Sequence, residues 1–232
     1  MSRPVSAIIP VKTLSQAKRR LAPVLPDAAR ARLVLTMLED VLAAVAQVES
    51  IGRVVVVTPD ARVAELAQGM GAVVLRERRA AGLNAAVRRG LADAAAQGDS
   101  QALVLPADLP LATPEELRRL VEADGDASSQ ASVTLAPAGD GDGTNALCLA
   151  PPDALEPGFG PGSFLQHLAQ AVAKGLEIKV LRLPGLARDI DQPRDLARLL
   201  AHPQTAERYA FLEPYVTAAD RAAQPHSRGR EQ

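Results

Sequence analysis

The chain of 232 residues contains one cysteine, Cys148, so it carries no disulfide framework and no multi-cysteine zinc or iron–sulfur site. Cys148 lies in the apolar run 146–150 and reads as a buried apolar residue. No apolar stretch approaches the ~18 residues that cross a bilayer, so no membrane association is expected. The short apolar run ending at Pro10 is too brief for a secretory h-region, and a reducing cytoplasm is the expected location. An excess of one charge is missing as well: 26 basic residues face 27 acidic ones, for a formal net charge of −1. Domains that grip a nucleic-acid backbone are normally basic, so no nucleic-acid partner is expected. A small anion needs only a local pocket. Lysine is scarce, with four (Lys12, Lys18, Lys174 and Lys179) against 22 arginines. Two of the four fall within the first 18 residues. In an alanine-rich chain that otherwise prefers arginine, as GC-rich genomes do, that placement hints at a chemical demand.

What is present is ordinary globular material, 47% apolar and 23% charged, long enough for one large domain with a substantial core. Short β-rich runs alternate with longer helical patterns, the signature of βαβ units and a parallel sheet. Strands are predicted at 5–9, 54–57, 73–75 and 102–105, with helices over 27–48, 60–70, 82–97 and from Thr113-Pro114 onward. Pro26 reads as a first-turn proline. After a small polar loop at 125–130 the pattern changes. Strands at 132–136 and 144–150 flank the turn Gly139-Asp140-Gly141-Asp142-Gly143, and a helix over 163–174, a strand over 178–183 and a short helix over 193–200 follow. No repeat or linker is visible. The reading is one three-layer α/β domain over 1–202, with a mostly parallel sheet and an inserted hairpin. A polar tail over 203–232 follows, its last eight residues disordered.

In open parallel sheets, ligands bind outside the carboxyl ends of the strands, and the unusual clusters fall there. The loop Pro10-Val11-Lys12 to Lys18-Arg19-Arg20-Leu21 offers four cations that could hold a polyphosphate, or could be a solvated basic loop. It lacks the glycines of a Walker A motif. Leu105-Pro106-Ala107-Asp108-Leu109-Pro110 delivers a carboxylate at a strand end, suited to a divalent cation or to a turn. In Asp189-Ile190-Asp191 the alternation of an extended chain puts two carboxylates on one face, unless Asp191 simply caps the next helix. Gly143-Thr144-Asn145 and Phe159-Gly160-Pro161-Gly162-Ser163 combine free backbone donors, two hydroxyls and a helix N-terminus, an anion site or an ordinary cap. Gly82-Leu83-Asn84 permits close approach of a ligand, with an amide beside it, or begins a helix. His167 reads as a packing or helix-surface residue. EF-hand spacing, a dinucleotide glycine fingerprint and a Ser–His–acid arrangement are all absent.

Taken in order over about residues 5–200, these six motifs resemble the phospholactate / phosphoenolpyruvate / 3-phosphoglycerate guanylyltransferase family of coenzyme F-420 biosynthesis. The resemblance implies a nucleotidyltransferase fold, GTP as co-substrate, Mg2+, and a three-carbon phosphoacid whose phosphate attacks the α-phosphorus of GTP. It implies nucleotide contacts at Pro10, Lys12, Gly82, Asn84, Ala107 and Asp108, and acid contacts at Thr144, Asn145, Gly160 and Ser163. Magnesium would lie on Asp108, Asp189 and Asp191. Lys12 and Lys18 would be catalytic, neutralising charge on the triphosphate and on the attacking phosphate. Among the acids, the resemblance implies 3-phospho-D-glycerate ahead of phosphoenolpyruvate or 2-phospho-L-lactate, since some proteobacterial members of the family use it and the lysine-poor, alanine-rich composition suits a GC-rich bacterium. The GDP-linked product would pass to a downstream transferase, and a homodimer is compatible with the chain. A molybdenum-cofactor-type guanylyltransferase or a cytidylyltransferase is the alternative, but those carry a glycine-rich first loop. A silent nucleotide-binding module would have no need of the three aspartates.

Overall fold

The computed structural model of the chain describes residues 5–78, 81–123 and 130–216. Among these residues seven strands form one sheet in the order β3-β2-β1-β4-β6-β5-β7. They are β1 (Val5–Pro10), β2 (Ile51–Thr58), β3 (Val73–Arg76), β4 (Gln101–Val104), β5 (Ser132–Pro137), β6 (Thr144–Ala150) and β7 (Glu177–Val180). β1 pairs in parallel with β2 and β4, β2 with β3, and β5 with β7. β6 runs against both of its neighbours, β4 and β5. That reversal puts the start of β6, at Thr144, on the same edge as the carboxyl ends of β1 and β4.

Among the described residues six α-helices cover the sheet: α1 (Asp27–Val45), α2 (Ala61–Gly69), α3 (Leu83–Ala96), α4 (Pro114–Val121), α5 (Ser163–Ala173) and α6 (Pro193–Ala201). Strand alternation divides the core between two faces. Ala7, Ile9 and Leu103 pack with Leu38 of α1, Leu117 of α4 and Leu196 of α6. Ile8, Ala102 and Val104 pack with Val87 and Leu91 of α3 and Ala171 of α5. Cys148 is buried in the first of these clusters, as expected.

Capping explains the helix starts. Asp60 accepts from the backbone N–H groups of Arg62 and Val63, while Thr113 and Glu116 form a reciprocal box at α4. Three boundaries differ from the sequence reading. α1 ends at Val45 and Pro26 stands at its N-cap. β7 stops at Val180, where the carbonyl of Leu135 accepts the last cross-strand bond, from Leu181. The third concerns the expected boundary at 202, which falls inside a packed segment. Tyr209, Leu212 and Val216 are buried in the core beneath α1 and α6, Ala210–Tyr215 forms a 3-10 helix, and the Tyr209 hydroxyl donates to Asp40 at 2.5 Å. Hydrophobic contact with α1 overrides the polar look of this stretch. Residues 125–129 of the expected loop and the last eight residues lie outside the described residues.

Candidate active site

The loop leaving β1 forms two 3-10 turns, Leu14–Gln16 and Arg19–Leu21, and Lys18 stands between them at φ 51°, ψ 43°. Among the described residues it is the one non-glycine with positive φ. A side chain in the left-handed region is strained by roughly 1 kcal/mol or more and persists where surrounding contacts over-determine it. The contacts are visible: Lys18 Nζ donates to Asp108 Oδ2 and to Asp191 Oδ1, each at 2.6 Å, and its side chain is 7% exposed. Burial works against its charge, yet the two carboxylates outweigh burial and hold its pKa above the ordinary lysine value.

Asp108 follows β4 between two prolines, and its carbonyl accepts the Ile190 N–H at 3.1 Å, which ties the two carboxylate loops together. Ile190 is buried, and one carboxylate oxygen from each of Asp108, Asp189 and Asp191 lies within 4.8 Å of the others. The extended-chain reading of Asp189-Ile190-Asp191 therefore describes the geometry. The capping alternative does not: Gln192 is the N-cap of α6, with Asp195 returning to its N–H at 2.7 Å, while Asp191 turns to Lys18 and to Arg20. Burial, then the charges of Asp108 and Asp191, push Asp189 up. Asp191 is also opposed by burial, but Lys18, Arg20 and Lys12 hold its carboxyl below the usual range. Three carboxylates against the Lys18 ammonium and the Arg20 guanidinium still leave negative charge uncompensated, and the oxygen-only donor set suits a hard divalent cation.

Two cavities, of about 320 and 460 Å³, lie beside this cluster and share Pro10, Val11, Lys12, Gln16, Arg19 and Leu83. The larger reaches Lys18, Ala107, Asp108 and Asp191. The smaller adds Pro59, Gly82, Ala86 and Glu77. Among the described residues the Glu77 carboxylate has no hydrogen-bond or ion-pair partner, and it is the single acid lining that cavity. Sequence reasoning passed over Glu77 because an isolated acid after a strand carries no pattern.

The residues expected at the nucleotide therefore lie together, except Asn84. Its oxygen accepts the Phe159 N–H at 2.8 Å and its amide donates to the Phe159 carbonyl at 3.1 Å, which ties α3 to the loop before α5. Of the residues expected at the acid, Thr144 and Ser163 meet directly, the Thr144 N–H donating to Ser163 Oγ at 2.9 Å. Gly162, at φ 69°, is the N-cap of α5, so Ser163 is not that helix's cap. Gly160, at φ 138°, accepts the Ser163 N–H at 3.1 Å. Asn145, adjacent to Thr144 and on the opposite face of β6, donates to the Leu186 carbonyl at 2.8 Å and approaches Asp189 at 3.5 Å. It links the acid pair to the carboxylate cluster. His167 is fully buried, with both ring nitrogens engaged.

A carboxylate cluster and a cationic loop at the carboxyl edge of this sheet define a nucleotidyltransferase-type α/β enzyme. The architecture agrees with a solved nucleotidyl transferase from Methanothermobacter thermautotrophicus (TM-score 0.63, 21% identity, 87% of this chain and 98% of that one). The chain belongs to the CofC-like guanylyl transferase family, whose model matches residues 5–228. It is 43% identical over 196 residues to a phosphoenolpyruvate guanylyltransferase of Sphaerobacter thermophilus, covering 84% of this chain and 92% of that protein. It is 39% identical over 207 residues to a 3-phospho-D-glycerate guanylyltransferase of Phenylobacterium zucineum (87% and 93%). Identity to a 2-phospho-L-lactate guanylyltransferase of Methanothermobacter thermautotrophicus is 34% over 206 residues (89% and 88%). No helix among the described residues is long and apolar enough to cross a membrane.

Proposed function

We propose that this guanylyltransferase takes its guanylyl group from GTP and places it on the phosphate of a three-carbon phosphoacid. An oxygen of the acid's phosphate bonds to the α-phosphorus, the bond from that phosphorus to the bridging oxygen breaks, and pyrophosphate leaves. The nucleophile is already an anion at neutral pH, so no general base is needed, and positioning with charge neutralisation suffices.

The observation that carries the donor's identity is Glu77, the one acid in a cavity lined otherwise by apolar residues, Lys12, Arg19 and the Gln16 amide, and a carboxylate without a partner among the described residues. Guanine presents an N1–H and an N2–H2 on one edge, and one carboxylate accepts both. Adenine and cytosine present an acceptor at the matching ring position, which a carboxylate repels. With the base there, the triphosphate extends past Lys12 and Arg19 toward Lys18. Lys12 neutralises phosphate charge, and Lys18 exchanges part of its carboxylate contact for phosphate. Asp108, Asp189 and Asp191 would hold Mg2+, which when bound supplies further neutralisation of the phosphates. The hydroxyls of Thr144 and Ser163, with Gly160, receive the acid.

The first reading of that acid is 3-phospho-D-glycerate, which the name of a 39% identical relative carries. Relatives 43% and 44% identical carry phosphoenolpyruvate in their names, which makes it the second reading. The GDP-linked acid would serve a downstream transferase in coenzyme F-420 assembly. The test is purified protein with GTP, Mg2+ and each of the three acids in turn, read by pyrophosphate release and mass spectrometry of the product. One acid giving a GDP-linked product several-fold faster than the others identifies the substrate, and no product from any of them overturns the proposal.

A further inference from the structure

His167 lies four residues after Ser163 on α5, so the two side chains leave the same face of the helix. The ring is fully buried and packs edge-on against Phe159, with centroids 5.2 Å apart. The Gly158 backbone N–H, which can only donate, reaches His167 Nε2 at 2.9 Å. Nε2 must therefore present its lone pair. Burial holds the ring's pKa down to about 4, so it is neutral at neutral pH and carries one proton. That proton has one place left, Nδ1, which is 3.0 Å from Thr144 Oγ1. The ring donates and the threonine hydroxyl accepts. The Thr144 N–H in turn donates to Ser163 Oγ. Each hydroxyl oxygen thus receives a hydrogen bond, and among the described residues neither hydroxyl proton has an acceptor. With the opposite tautomer, Thr144 would give its proton to the ring and turn only lone pairs toward an anion.

We propose that His167 is a positioning residue for the phosphoacid: as the Nδ1–H tautomer it makes the Thr144 hydroxyl a donor reserved for the acid, and through Gly158 it holds the loop that carries Gly160. Asn84 braces the same loop one residue further on, through Phe159. The inference rests on the reading of Thr144 and Ser163 as the acid's donors, and the test separates the two.

Steady-state kinetics are measured with GTP and the phosphoacid varied separately, for wild type, Thr144→Val, His167→Leu, His167→Asn and the Thr144→Val/His167→Leu double variant. Loss of one hydroxyl donor to a bound anion corresponds to about tenfold or more in affinity. His167→Leu is expected to raise KM for the acid by that factor and to leave KM for GTP within about twofold. Asn can place an amide N–H near the Nδ1 position, so His167→Asn recovers most of the loss. In the Thr144→Val background, His167→Leu adds less than it does in wild type, because the part acting through the Thr144 hydroxyl is already gone and only the Gly158 contact remains to be lost. An unchanged acid KM in His167→Leu, with Thr144→Val raised, overturns the role of His167 and leaves the acid site standing. A rise in KM for GTP in Thr144→Val overturns the acid-site reading itself. Should His167→Leu fail to fold, the 15N shifts of His167 in the intact protein near neutral pH decide the matter. An Nδ1–H ring supports the proposal, and an Nε2–H ring overturns it.

Discussion

A lysine at φ 51° with two carboxylates on its ammonium is a costly local arrangement that only its surroundings maintain. The same surroundings give a sharp expectation for the acids. Asp108→Asn and Asp191→Asn should each lower turnover by about a hundredfold or more, the usual effect of losing a charge contact made in the transition state. Melting temperature should barely move, since both carboxylates are part-exposed and the remaining partner still holds Lys18. Lys12→Ala should reduce GTP-dependent turnover far more than Lys174→Ala. Among the described residues Lys174 meets the Ala154 carbonyl, at the end of α5, and it lines neither cavity. Glu77→Ala should flatten the preference for GTP over ITP, because ITP lacks the N2 amino group. A ratio of about tenfold or more in wild type should fall toward unity in the variant, and kcat/KM for each nucleotide measures it. His167 sets a pH dependence of stability. Its folded pKa, about 4, lies below the unfolded value, and burial is the cause, its ring neighbours being Phe159, Thr144 and Gly158. Above about pH 6.5 the ring is neutral in both states. As pH falls toward 4 the unfolded chain takes up a proton that the folded one refuses, so stability drops by on the order of 3 kcal/mol. Urea unfolding across that window should show the slope in wild type and a shallower one in His167→Asn.

At the scale of elements, the close approach of α3 to β1 keeps the nucleotide cavity in shape. A Cβ on Gly90 would collide with the Cγ2 of Ile8, a fully buried residue two positions before Pro10. Ile8 is β-branched and sits between packed layers, so it has little room to yield. Gly90→Ala should cost about 1–3 kcal/mol by overpacking, read as a lowered denaturation midpoint, and should weaken nucleotide binding as α3 and Gly82 shift. The strands and helices themselves were readable from periodicity, because a strand buried on both faces gives an apolar run and a capped helix declares its start. The reversal of β6 could be inferred from the Gly-rich turn before it. Its pairing with β4 could not, since that depends on crossovers far apart in the chain. The same distance hid what Asn84 does. Its partner, Phe159, is 75 residues away, and a free amide beside Gly82 reads more naturally as a ligand contact.

For the whole molecule, the segment beyond 202 is the part most changed by folding. Read along the chain it is polar and thin, yet Tyr209, Leu212 and Val216 close the core over α1, and Arg208 pairs with Glu39 at 2.7 Å and Asp40 at 2.5 Å. Each large side chain removed from the interior forfeits roughly 1.5–3 kcal/mol, against a total stability of about 5–15 kcal/mol. A chain ended at residue 202 should therefore show a markedly lower thermal midpoint or fail to accumulate in soluble form, which circular dichroism and soluble yield would record. The sequence alone determined the α/β class, the strand ends where chemistry gathers and the identity of the three aspartates, because hydrophobic period, caps and carboxylates flanked by proline are local signals. Tertiary structure decided the rest: Lys18 between Asp108 and Asp191, Glu77 as the one acid lining the smaller cavity, Asn145 beside Asp189, and the contacts of the His167 ring with Thr144 and Gly158. Each of these depends on which groups desolvate together across 9 to 173 residues of chain, and the free energy of a buried charge or ring is set by those neighbours rather than by the residues next to it in sequence.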